Sequence, residues 1–138
     1  MNLICRVEFD EHEVEAGGQL SGQVRLLEVT PSMARAQKLR LRAICRVHGP
    51  GEEPEWRTLN TAELPGPFKA QVGLPFRLPI PEQGPITYQG ILLRISWHLE
   101  VQLVMPEGFS PKYETSFQVF PAQASSERRH PKAPPSPR

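Results

Sequence analysis

The chain has 138 residues, with 16 Lys or Arg against 15 Asp or Glu, and 16 Pro, 10 Gly and 2 Cys. That length holds one ordinary domain rather than two, and the near-balance of charge gives no strongly basic face for general nucleic-acid binding. The prolines argue against a helical protein, no run approaches the ~20 apolar residues of an integral membrane segment, and the cysteines are too few for a disulfide framework.

In chain order, Leu3, Cys5, Val7 and Phe9 alternate with Ile4, Arg6 and Glu8, the period of two that marks a strand. Glu11, His12 and Glu13 lead to a turn at Ala16-Gly17-Gly18. Leu20, Gly22, Val24 and Leu26 form a second strand, where Gly22 marks a bulge or a close backbone approach. In the third, Leu39, Leu41, Ala43, Cys45 and Val47 share one face, and Lys38, Arg40, Arg42, Ile44 and Arg46 share the other. A short edge strand is expected at 56–59 and another strand at 68–74. Phe76, Leu78 and Ile80 alternate next, but Pro75, Pro79 and Pro81 donate no ladder bonds, so the segment reads as an edge or an extended connection. The longest pattern, Ile91, Leu93, Ile95, Trp97, Leu99, Val101 and Leu103, is the expected central strand, with Trp97 in the core. Tyr113, Thr115, Phe117 and Val119 make the last.

About seven or eight strands with no helical crossovers define an all-β fold, an antiparallel two-sheet sandwich over residues 1–120. Residues 121–138 hold five of the prolines and carry a net charge of +3, against −2 for the rest. This composition predicts a disordered, basic, Pro-rich tail. The first residues lack the basic and apolar parts of a secretory leader, so the expected location is cytoplasmic.

Four segments resemble the arrestin-like superfamily, which includes bacterial sporulation-control and retromer arrestin-like proteins. They are Glu15-Ala16-Gly17-Gly18-Gln19-Leu20-Ser21-Gly22-Gln23-Val24; Phe76-Arg77-Leu78-Pro79-Ile80-Pro81 followed by Gly84-Pro85-Ile86-Thr87-Tyr88-Gln89-Gly90; Ile95-Ser96-Trp97-His98-Leu99-Glu100-Val101; and Phe117-Gln118-Val119. The resemblance implies an immunoglobulin-like sandwich like a single arrestin N-domain, serving as a protein-binding adaptor or scaffold without catalysis. Two-domain arrestins carry a second sandwich, so self-association is the implied substitute here. The residues also have their own reading. Tyr88, just before Gly90, is expected to anchor a corner with its ring buried and its hydroxyl bonded to backbone.

No residue set converges as a catalytic or metal site. No serine sits in a Gly-x-Ser-x-Gly turn. Cys5 and Cys45 lie on apolar faces as buried, inert thiols, and a bridge between them is open only if their strands are neighbours. His98 lies on a polar face and is expected to be solvated. The acidic run Glu8, Asp10, Glu11, Glu13 and Glu15 lacks calcium-loop spacing and has no zinc-type partners. The chain therefore reads as a non-enzyme without cofactor or metal.

The basic row Lys38, Arg40, Arg42 and Arg46 has two readings. It is a solvated outer face balanced by cross-strand acids such as Glu100, or a docking stripe for an acidic or phosphorylated segment or lipid headgroups. On the second, Arg40→Glu with Arg42→Glu is expected to leave folding intact and weaken binding. Strand edges offer a further mode, by addition of a partner's strand or by a homodimer. The alternative class is a small-ligand or carbohydrate-binding sandwich. It requires exposed aromatics, of which Trp56 is the one at hand.

Overall fold

The alternating segments become strands because each has one apolar face to bury. The computed structural model describes residues 3–49, 55–82, 85–90 and 94–121, the side chains of 55–59 excepted. Its strands are β1 (Cys5–Phe9), β2 (Glu13–Glu15), β3 (Gln19–Leu26), β4 (Lys38–His48), β5 (Glu55–Pro65), β6 (Gly73–Pro79), β7 (Tyr88–Gln89), β8 (Arg94–Val104) and β9 (Lys112–Phe120). A three-stranded sheet runs β1-β3-β6, and a larger one runs β2-β9-β8-β4-β5, with β7 also on β8. All pairs are antiparallel except β2 with β9. The chain thus leaves the small sheet after β1 and joins the edge of the large one.

The inner faces meet in one core. Trp97, Leu99, Val101 and Leu103 of β8 are fully buried, as are Leu39 and Leu41 of β4 and Leu20 and Val24 of β3. Each contributes about 1.5–3 kcal/mol on burial, which explains why the richest strand is central. A run of aromatic rings ties the sheets together. Phe9 lies 6.4 Å from Phe76 and 6.0 Å from Phe117, and Phe117 lies 5.8 Å from Trp97. The Trp97 indole donates to Pro85 O at 3.1 Å, so the segment before β7 satisfies the one polar atom of a buried ring. Thr87 then bonds Val119 through both backbone and hydroxyl, closing that segment over the end of β9.

Gly22 is a close backbone approach. A methyl there would lie 2.2 Å from Glu8 O and 2.9 Å from Phe9 Cα, so only glycine lets β1 lie against β3. Pro75 and Pro79 are tolerated because β6 is an edge. Ile80 N donates to Gly18 O, which turns the nitrogens one residue either side away from β3.

The structure corrects several expectations. Segment 68–74 is mainly a turn: Phe68 is buried in it, Gln71 has φ 66°, and the strand starts at Gly73. β5 runs for 11 residues, because Ala62 and Leu64 extend the inward pattern beyond the segment 56–59. β2 has Val14 as its one inward residue and takes strand form from pairing with β9, a long-range contact that no local pattern announces. Tyr88 is not a buried corner. It is 49% exposed. Its ring lies over Gly90, where a Cβ would fall 2.6 Å from Tyr88 Cε2. Residues 91–93 and the tail 122–138 lie outside the described residues.

Candidate functional site: the charged outer face of the large sheet

β4 sits between β5 and β8, so side chains turned away from the core meet the outward residues of both neighbours. Register places Arg40 opposite Glu63 of β5 and Arg42 opposite Glu100 of β8. Lys38 Nζ lies 2.9 Å from Glu63 Oε2, and Arg40 Nε lies 3.5 Å from the same oxygen. Arg42 donates to Glu100, with Nε 2.8 Å from Oε1, and Lys112 Nζ of β9 lies 3.9 Å from Glu100 Oε2. Arg46 pairs with Glu114 of β9. Each cation of the sequence-predicted row therefore has a cross-strand acid, and Glu100 is among them as expected.

The balance is uneven. Lys38 and Arg40 share one carboxylate, and Arg42 and Lys112 share another. At both places, among the described residues, the cations outnumber the carboxylate by one. The hydrogen bond from Lys38 holds the Glu63 carboxyl below its ordinary range, with Arg40 adding to the effect. Ile44, between Arg42 and Arg46 on this face, is 4% exposed, so the row is broken by an apolar, covered position. Glu63, Glu114 and Lys112 were not singled out from the sequence. Glu114 was legible in the alternation of β9, whereas Glu63 was hidden because β5 is longer than its local pattern.

His98 is not simply solvated. Its Nε2 lies 2.9 Å from Ser96 Oγ and 3.5 Å from Arg46 Nη1, and its Nδ1 lies 4.0 Å from Glu114 Oε1. Burial lowers its pKa, and the nearby Arg46 lowers it further. Serine, histidine and glutamate in that order have the atom types of an acyl-transfer relay. Yet Glu114 is held by Arg46, and β8 gives its ladder bonds to β4 on one side and β9 on the other. The row is better described as an ionic network across β4, β8 and β9.

The remaining candidates stand apart. Cys5 and Cys45 are both buried thiols, on strands of different sheets, and burial pushes the Cys5 thiol up to about 12. Asp10, Glu11, Glu13 and Glu15 line a shallow cavity of about 220 Å³. Among the described residues no group of three His, Cys, Asp or Glu side chains is arranged to hold a metal. No helix among them is long and apolar enough to cross a membrane. The side chain of Trp56, on which carbohydrate binding depended, lies outside the described residues. At one end of the sandwich lies a groove of about 400 Å³ bordered by Ile4 and Phe109, 51% and 64% exposed.

Neither a protein-family model nor a curated protein matches the chain. Among solved structures, it is similar to the crystal structure of Spo0M, a sporulation control protein from Bacillus subtilis. The TM-score is 0.62 at 16% identity, over 86% of this chain and 49% of that one. At this identity the likeness establishes the fold, a two-sheet β-sandwich common to both chains. This chain spans about half the length of that structure.

Proposed function

We propose that the chain is an arrestin-like, non-catalytic regulatory module that works in the cytoplasm by holding a protein partner. The observation that carries this reading is the sharing of one carboxylate by two cations, at Glu63 and again at Glu100. An acidic or phosphorylated segment crossing β4 satisfies both spare charges, with arginine supplying bidentate geometry. β5 borders this face and, among the described residues, has a strand neighbour in its own sheet only at β4. An extended segment adding to that edge lies next to Glu63 and two strand spacings, about 10 Å, from Lys38 and Arg40. The likeness to a sporulation control protein supports a regulatory role.

The test is affinity purification with the full chain and with a Lys38→Ala, Arg40→Ala variant. Neither cation is buried, so the variant keeps its fold. Proteins carrying acidic or phosphorylated segments are expected with the parent chain and depleted with the variant. An unchanged set of captured proteins sinks the assignment to this face.

A further inference from the structure

The groove at the end of the sandwich plays no part in the charged face. Leu3, Ile4, Met33, Met105, Phe109 and Pro111 supply its apolar lining. Phe109 is held outward by a well-bonded β8–β9 turn. Met105 N donates to Ser110 Oγ at 3.1 Å, Leu103 N donates to Pro111 O at 3.0 Å, and Gly108 takes φ 77°. Met33 is set by its backbone N donating to Thr30 Oγ1 at 3.2 Å. The aromatic wall is thus pre-positioned, while the two methionines can adapt to an occupant. Glu28 is in the lining and Glu107 is exposed in the same turn as Phe109, whereas among the described residues no Lys or Arg lines the groove.

We infer that this groove is covered by the chain's own residues 131–137. Composition is the first argument. Pro131, Pro134, Pro135 and Pro137 favour an extended polyproline conformation, which has little conformational entropy left to lose and packs its rings on aromatic grooves. Charge is the second. Arg128, Arg129, Lys132 and Arg138 complement Glu28 and Glu107, and the rest of the chain is net negative.

Reach is the third. β9 begins beside the groove, where Leu3 N donates to Lys112 O, and ends at Phe120. Returning along β9 takes about 26 Å. Ten residues from Pro121 to Pro131 span about 31 Å when extended, so 131–137 arrive at the groove within the same chain. A short intramolecular connection gives an effective concentration in the millimolar range, so a contact of modest intrinsic affinity suffices. The acidic cavity at Asp10, Glu11, Glu13 and Glu15 is nearer to Phe120 but is lined mostly by polar groups, with Val14 its one large apolar side chain, and gives proline rings less to pack on.

The test uses the full chain with a photo-crosslinking benzoylphenylalanine in place of Phe109, irradiated at low concentration as a mixture of isotopically light and heavy chains. The expected product is a link from position 109 to residues 131–137 of the same chain. It should be lost when Pro131, Pro134 and Pro135 are each replaced by Ser. Absence of tail links, or links between light and heavy chains only, overturns the inference. Methyl spectra of Met33 and Met105 in the otherwise unaltered chain give a second readout. Both should shift with the three Pro→Ser changes, and unmoved methyls together with shifted amides at 10–15 would place the tail on the acidic cavity instead. Neither readout involves an external partner, so the result is separable from the fate of the proposed function.

Discussion

Arg42 of β4 and Glu100 of β8 sit directly opposite in register and are joined through Arg42 Nε at 2.8 Å. Among the described residues Glu100 is the one buried polar side chain, at 9% exposure. The pair therefore holds a carboxylate that water reaches poorly. Removing the arginine leaves that charge with Lys112 alone, at 3.9 Å. Arg42→Glu is expected to cost about 1–3 kcal/mol, less than for a fully buried pair because the arginine is partly solvated. Urea melts of the single variant check this. The Arg40→Glu, Arg42→Glu double substitution is therefore expected to lower stability as well as any binding, which makes it a poor probe of binding alone.

Trp97→Ala is expected to lose about 3–5 kcal/mol, as a large-to-small change at a fully buried ring. Trp97→Phe should cost less, because it keeps most of the ring contact with Phe117 and gives up the bond to Pro85 O. Thermal melts of both variants check the order, and equal losses would contradict it.

How far the chain could be read in advance follows the same logic. β8 and β4 were legible because alternation over many residues has few competing explanations, and their central positions follow from the apolar side chains they bring. That Glu100 would help to balance the basic row was legible for the same reason, but its place opposite Arg42 needed the register. β2 was not, because one valine between glutamates makes no pattern and its parallel pairing comes from the far end of the chain. The outward ring of Tyr88 was missed because Tyr before Gly also reads as a buried corner. His98 was placed on the correct face, but its Arg46 and Glu114 neighbours come from other strands and needed the register.

Gly22→Ala should separate β1 from β3, because the added methyl meets Glu8 O, a backbone atom that cannot step aside. The expected loss is about 1–3 kcal/mol, typical of overpacking. Hydrogen exchange should show the loss concentrated at the β1–β3 ladder, and an unchanged β1 would contradict the assignment.

His98 should make the fold acid-sensitive. Its folded pKa lies below the unfolded value of roughly 6.5, through burial first and Arg46 second, with Glu114 opposing and His48 adding slightly. The unfolded chain therefore binds the proton more readily. The stabilising contribution is fully present above that value and is lost as pH falls through the folded pKa. Stability measured from pH 7.5 down to 5 should decline in the parent chain and decline less in His98→Gln. Parallel curves would show that His98 is not responsible.

The central claim is that the outer face of β4 carries spare positive charge for an acidic partner. Its most direct measurement is fluorescence anisotropy of labelled acidic and phosphorylated peptides, with neutral counterparts, titrated with the full chain and the Lys38→Ala, Arg40→Ala variant at low and high salt. The account predicts tighter binding of the acidic and phosphorylated peptides, weakened both by salt and by the variant. Equal affinity for neutral and acidic peptides, or binding untouched by the two substitutions, would contradict it.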